Sequence, residues 1–334
     1  VSRDGQDELL RLLHAGERFV VTTHQNPDGD ALGSLLGMEG LLKALGKEVV
    51  PLLAGRDLPP PPEYRHLDLG AVVTEPPQDL STYIAIALDC GNFDRLPSPR
   101  LAEARTLVNI DHHHDNTGFG DLNLVQPTAS CTAEIVFSLF EGLGVRPSRG
   151  VAEALYIGVV TDTGRFMYEN TGPAAHRMAA ALLESGVDPA AVYHRLYEGM
   201  PEGKVALLAR ALNKLSRRLD GRLTYCVLSH EDFAQSGAQP SYSEGVVDHL
   251  RAVEGTVVAA LIREVDDGYK VSLRSTTDQV DVSQIARRQG GGGHRRAAGF
   301  HTTLAPKELL AFVEAELVAQ LGEGAPSAPA TFAK

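Results

Sequence analysis

The sequence predicts an α/β fold: a doubly wound, mostly parallel sheet followed by a smaller α+β domain. Three observations carry this expectation. Short apolar runs alternate with stretches of helical spacing through about the first 200 of 334 residues. Three of those runs, "VVTTHQNPDGD", "IAIALDC" and "LVNIDHHH", end abruptly in acids and histidines, as strands do when their carboxyl ends carry a site in an open sheet. After about residue 219 the texture changes to β-rich stretches closed by one long helical pattern.

In chain order, residues 19–23, "FVVTT", read as a buried strand, and 31–45 as a helix stopped at Gly46. "EVVPLL" is a further strand, weakened by Pro51, and "RDLPPPPEYRH" is a loop. Residues 83–89 and 106–111 are strands that each end in an acid. Helical patterns follow at 131–144, 150–161, 173–185 and 188–198, then an amphipathic stretch over 202–219 that can join two domains. "RLTYCVL", "TVVAALIREV" and "YKVSLRS" are strands, with helices near 281–288 and 306–321. The tail "GEGAPSAPATFAK" has the composition of a disordered segment. The expected organisation is a first domain over 1–200, a helical linker over 201–219, a second domain over 220–322 and a disordered tail over 323–334.

With 43% hydrophobic and 22% charged residues the chain reads as an ordinary soluble globular protein. No apolar run reaches the length of a membrane span, and the N-terminus has no apolar signal-peptide core, so a cytoplasmic protein is expected. Cys90, Cys131 and Cys226 form no CxxC pair. That argues for a reducing compartment and against a disulfide framework or a cysteine-based zinc site. The net charge of −12 argues against a protein that grips long nucleic acid through a basic face. An anionic substrate would be small and held locally, or held by metal.

Strand ends converge in space, so His24, Asp28, Asp30, Asp89, Asp111, His112 and His113 are candidates for one cluster, with Asp162 of "GVVTDTGRF" a further member. Crowded carboxylates cannot all stay ionised without compensation, which divalent cations supply. Carboxylate and imidazole without thiolate suit Mn²⁺ or Mg²⁺. The pool can serve two ions, and a two-metal site activates water for in-line attack at phosphorus. Each residue also has a plain structural reading. Asp89 can be a turn or cap residue, Asp30 can cap a helix starting at Ala31, and 112–114 can be a solvated loop. Recurrence at three strand ends favours the shared site.

The motifs "HQNPDGD", "ALDC", "IDHH" and "GVVTDTGRF" resemble the four motifs of the DHH phosphoesterases, a name that Asp111-His112-His113 spells out in this chain. Further on, "KVSLRS" and "DVSQIARRQGGGGHRRAAGF" resemble the DHH-associated type 1 domain with its GGGH loop. The resemblance runs from about residue 8 to 320 and is greatest to the two-domain nanoRNase/pAp phosphatase branch. It implies an active site in the interdomain cleft. It also implies two Mn²⁺, with Mg²⁺ able to substitute: His24 and Asp28 on one ion, Asp30, His112 and Asp162 on the other, and Asp89 bridging both. His113 would face the scissile phosphate, and Asp111 would orient a ligand imidazole. His114 lies outside the pattern.

In the second domain, Gly290 to Gly293 permit positive φ and close backbone approach. Their N–H groups can form an anion nest. Alone, the run is as readily a hinge. With His294, Arg295 and Arg296 behind it, Arg274 on the preceding strand, and the family likeness, phosphate binding by Arg274, Gly291, Gly292, Gly293, His294 and Arg295 is favoured. Ser130, Thr132 and Glu134 are second-site contacts or, on the favoured reading, ordinary helix-capping residues.

The implied activity is hydrolysis of RNAs of about two to five nucleotides to 5′-mononucleotides, and of 3′-phosphoadenosine 5′-phosphate (pAp) to AMP. The implied partners are these small substrates, with no long duplex and no membrane; a homodimer is left open. Two alternatives stand beside it: a cyclic- or linear-dinucleotide phosphodiesterase using the same metals, and a non-enzymatic nucleotide-binding module. The second is disfavoured because every expected ligand is present.

Overall fold

Five parallel strands, β1 (Arg18–Thr23), β2 (Glu48–Leu52), β3 (Ile84–Leu88), β4 (Thr106–Asp111) and β5 (Leu122–Val125), form the sheet of the first unit in the order β2-β1-β3-β4-β5. The computed structural model describes residues 3–322, in two units divided between Gly199 and Met200. Pro51 is tolerated because β2 is an edge strand, paired only with β1 within the sheet. The edge strand β5 and the first helix, α1 (Arg3–Ala15), are not among the elements expected from sequence. β5 has four residues, only one of them buried.

One face of the sheet packs Phe19, Val21, Ile84, Ile86, Val108 and Ile110 against the helices of the unit. These are α1, α2 (Gly29–Ala44), α3 (Thr132–Leu143), α4 (Arg149–Asp162), α5 (Pro173–Glu184) and α6 (Pro189–Tyr197). The opposite face, with Val20, Ala85 and Ala87, is covered by residues of short 3₁₀ turns such as Leu80 and Leu101 rather than by long helices.

Helix α2 carries glycine at 29, 33, 37 and 40, poor helix formers in a buried helix. The spacing puts them on one face, and that face meets α4. A Cβ on Gly33 would lie 2.4 Å from the Ala154 carbonyl oxygen, and one on Gly29 2.4 Å from Thr161 Oγ1. The two helices therefore touch backbone to backbone at Gly33, while Gly29 seats the Thr161 side chain. Gly33→Ala is expected to lose about 1–3 kcal/mol through overpacking, despite alanine's better helix propensity. The measurement is the denaturant midpoint, and an unchanged midpoint would show that the helices part without cost.

The second unit holds a six-stranded mixed sheet. Its strands are β6 (Ser216–Arg218), β7 (Leu223–Leu228), β8 (Val258–Val265), β9 (Gly268–Ser275), β10 (Gly292–His294) and β11 (Ala297–Thr302), in the order β10-β11-β9-β8-β7-β6. Its helices are α7 (Glu202–Asn213), α8 (His230–Ser236), α9 (Val246–Arg251), α10 (Val282–Arg287) and α11 (Pro306–Leu321). The linker expected over 201–219 takes another form. It is helical only to Asn213 and then becomes strand β6, and Leu207 and Ala211 are buried against Cys226, Leu228 and Leu250 of the second unit. The tail expected to be disordered lies outside the described residues. Among those described, no helix is long and apolar enough to cross a membrane.

Asp232 pins α7 to α8. Its carboxylate accepts from Lys214 Nζ at 2.5 Å and from the Ser229 N–H at 2.8 Å. Burial alone would raise its pKa, but Lys214 and Ser229 outweigh burial and hold it below the usual carboxylate range. A depressed carboxyl contributes stability above its unfolded pKa and loses it as pH falls through the folded one. Asp232→Asn should therefore cost about 1–3 kcal/mol near neutral pH. The deficit should start to shrink only as pH falls below about 4 and should vanish once pH passes below the depressed folded pKa. A deficit that does not change with pH would assign the effect to packing.

Candidate metal centre

The strand order reverses between β1 and β3, which makes their carboxyl ends the switch point where open sheets bind ligands. His24 follows β1, Asp89 follows β3, and Asp111 ends the adjacent β4. Thr23 lies opposite Leu88, and Leu88 opposite Ile110, so the three chain ends emerge side by side. Asp89 turns off β3 with φ 54°, a left-handed conformation that Asp tolerates better than most residues. Asp28 is the N-cap of α2, accepting from the N–H groups of Asp30 and Ala31 at 3.0 Å. The helix thus begins at Gly29 and its cap is Asp28, so Asp30 is not needed for that task. Asp162 is the last residue of α4.

All six expected ligands come together. Among the described residues, three groups have ligand atoms within 4.8 Å of one another: His24, Asp28 and Asp89; Asp30, His112 and Asp162; and Asp89, His112 and His113. Asp89 joins them. Its Oδ2 lies 3.6 Å from His24 Nε2, while its Oδ1 lies 3.7 Å from His112 Nε2 and 3.6 Å from His113 Nδ1. His112 Nε2 is also 3.7 Å from Asp162 Oδ2.

The electrostatics are those of a carboxylate cluster short of positive charge. Burial, reinforced by Asp89 and other neighbouring carboxylates, holds Asp30 and Asp162 well above the usual range. Asp89 moves the other way: burial would raise it, but the hydrogen bond to His24 and the charges of His113 and His112 pull it down. Burial would lower His24, and Asp89 outweighs burial and raises it. The donor set fits a divalent cation. It offers carboxylate oxygens and imidazole nitrogens, none of the groups includes a cysteine, and a cation would relieve the repulsion recorded at Asp30 and Asp162.

Asp111, expected to orient a ligand imidazole, instead holds His113. Its Oδ1 is 2.7 Å from His113 Nδ1 and accepts the His112 backbone N–H at 2.8 Å. Burial would lower His113, but Asp111 and Asp89 push it up to about 9. The Asn116 amide donates to Asp111 Oδ2 at 2.5 Å and fixes that carboxylate in turn. The Asn170 amide donates to Asp162 Oδ2 at 3.1 Å and to the Ser130 carbonyl at 2.8 Å. Neither asparagine is a candidate from sequence. The signal for Asn116 was its place three residues after His113; Asn170 had none. Glu134 accepts from the N–H and hydroxyl of Ser130 and so acts in local capping. Thr132 does not: its hydroxyl donates to Asp89 Oδ1 at 3.0 Å.

In the second unit the glycine run is partly strand. Gly292 to His294 form β10, paired with β11, so its successive N–H groups do not make a simple nest. The glycines allow close approach: a Cβ on Gly291 would lie 2.2 Å from the Gly299 carbonyl oxygen. Ala297 is opposite His294 on one side and Arg274 on the other. Cross-strand partners share a face of a sheet, so Arg274 and His294 lie on the same face. Arg274 Nε is 3.5 Å from Asp248 Oδ1, and Arg295 donates to the Asp278 carbonyl at 2.6 Å.

A parallel α/β unit with a carboxylate–imidazole centre at its switch point, followed by a mixed-sheet unit, defines a two-domain protein whose first unit carries a metal-type site. The chain belongs to the DHH family: the profile of the DHH family, N-terminal domain, matches residues 18–159, and that of the DHHA1 domain matches 220–319. It is 36% identical over 280 residues to the bifunctional oligoribonuclease and PAP phosphatase NrnA of Thermus thermophilus, covering 84% of this chain and 82% of that one. It is 27% identical to the protein of the same name from Bacillus subtilis, over 87% of this chain and 91% of that one. The crystal structure of an exopolyphosphatase-related protein from Bacteroides fragilis shares the fold, with a TM-score of 0.86 at 23% identity over 95% of this chain and 96% of that chain.

Proposed function

We propose that the protein is a Mn²⁺-dependent phosphoesterase that hydrolyses short oligoribonucleotides to 5′-mononucleotides and removes the 3′-phosphate of pAp. The observation that carries this reading is the pair of ligand groups joined through the two oxygens of Asp89. The relatives named oligoribonuclease and PAP phosphatase support the substrate class. In this reading His24 and Asp28 would hold one cation, Asp30, His112 and Asp162 would hold the second, and Asp89 would contribute to both. Such a pair of ions neutralises charge on the phosphoryl oxygens and provides a nucleophile from water at neutral pH.

The chain's own residues do the rest. Asp111 keeps the His113 ring in one orientation through Nδ1. That leaves Nε2 as the atom that donates to the developing charge or to the leaving oxygen. Arg274 and His294, on one face of the second sheet, bind a phosphate that does not react.

The decisive assay offers Mn²⁺-loaded protein four substrates in parallel: pAp, a 5′-labelled RNA dinucleotide, a 24-mer and cyclic di-AMP. Faster turnover of the first two is expected. A preference for cyclic di-AMP would move the protein to the dinucleotide phosphodiesterases.

Binding energy from a remote group can raise kcat/KM, and kcat too if it positions the reacting phosphate. His294→Ala should therefore lower kcat/KM for pAp by about 2–3 kcal/mol, as for a lost charge-assisted hydrogen bond. It should barely affect bis-p-nitrophenyl phosphate, which has no second phosphate. Equal losses on both compounds would place His294 at the chemistry, and no loss on either would make the glycine run a structural hairpin only.

A further inference from the structure

Thr132 bonds two carboxylates of the centre. Its backbone N–H donates to Asp30 Oδ2 at 2.7 Å and its hydroxyl to Asp89 Oδ1 at 3.0 Å. The next N–H, of Ala133, donates to Asp30 Oδ1 at 2.9 Å, and the Ser34 hydroxyl to the same oxygen at 3.3 Å. Thr132 is fully buried and is the first residue of α3. The first N–H groups of a helix need partners from outside it. Here the N-cap, Cys131, supplies no side-chain bond, and the partner is Asp30 of α2.

Counting lone pairs shows what this does. Asp30 Oδ1 takes two donors and Oδ2 takes one, so only Oδ2 keeps a lone-pair direction unused by these bonds. Asp30 can then offer a cation one oxygen. In Asp89, Oδ2 faces His24 while Oδ1 faces His112 and His113. The Thr132 hydroxyl thus fixes the half of Asp89 that belongs with His112.

We propose that Thr132 is a positioning residue for one of two cation sites, that of Asp30, His112, Asp162 and Asp89 Oδ1, and that it leaves the His24 and Asp28 site unaffected. The proposal rests on reading the centre as a two-cation site. Removing a partner that orients a metal ligand typically costs about 10- to 100-fold in metal affinity.

The test is calorimetric titration of the metal-stripped full chain with Mn²⁺. The parent should bind two ions. Thr132→Val keeps the branched shape and the backbone N–H but loses the hydroxyl. It should bind one ion as the parent does and the other about 10- to 100-fold more weakly. Thr132→Ser should restore the second affinity, and Thr132→Ala should repeat the split if valine disturbs packing. A parent that binds fewer than two ions overturns the two-cation reading itself, whatever the variants do. A parent with two ions and a valine variant with unchanged affinities overturns the role of Thr132. So do both sites weakening equally alongside a lower melting temperature of the metal-free protein, because that pattern is general destabilisation.

Discussion

Asp89→Ala is expected to abolish turnover, with a loss of at least about 10³-fold. Removing a single transition-state donor already costs about 10²–10³, and Asp89 contributes to two ligand groups. The metal-free variant should nevertheless fold. Removing Asp89 relieves repulsion at Asp30 and Asp162 but gives up the Thr132 hydrogen bond and the pairing with His24, His112 and His113 that holds Asp89 low. The metal-free variant should therefore still unfold cooperatively, while the rise in melting temperature on adding Mn²⁺, which follows from binding to the folded state, should disappear. Near-parental activity with unchanged metal content would remove Asp89 from the site.

The second large effect belongs to His113. His113→Ala should lower kcat by about 10²–10³ while Mn²⁺ content stays at the parental level. The pH dependence has a definite sign. The His113 pKa lies above its ordinary value, so the protonated, donating form is present at neutral pH and is lost as pH rises through the shifted value. Bound cations oppose a positive imidazole and draw that value below about 9. The parent should lose kcat at high pH, and the variant should lack that limb. Loss of Mn²⁺ on substitution would instead make His113 a ligand, in the group it forms with Asp89 and His112.

The candidate site was legible in the sequence because the residues proposed as its ligands interrupt apolar strands. A buried run that stops at His24, Asp89 or Asp111 has no packing reason to end in a group so costly to bury. The donors behind the ligands were not legible. Thr132 was open between a site contact and a cap, because its partners Asp89 and Asp30 lie 43 and 102 residues away and the strand order decides that they meet. Asn116 and Asn170 act over only five and eight residues, but an asparagine in a loop carries no mark of which carboxylate it will hold. Most of the missed strands were short edge elements: β5 has four residues, β6 three, and β10 two glycines in three. β11, six residues inside the sheet, was missed because "AAGFHT" is too short of β-branched residues to signal a strand. The 201–219 segment was read as a connection because amphipathic spacing reveals an apolar stripe but not what covers it.

The glycine face of α2 bears on more than packing. Asp30 follows Gly29, and Asp162 follows the Thr161 against which Gly29 rests. Two residues proposed as ligands of one cation are thereby mounted on helices in direct contact, one next to Gly29 and the other next to the Thr161 side chain that packs on it. The gap between those ligands behaves as a rigid gauge, set when the protein folds and before any ion arrives. On the two-cation reading, a residue that wedges the two helices apart is expected to change the relative affinities for Mn²⁺ and Mg²⁺ without touching a ligand.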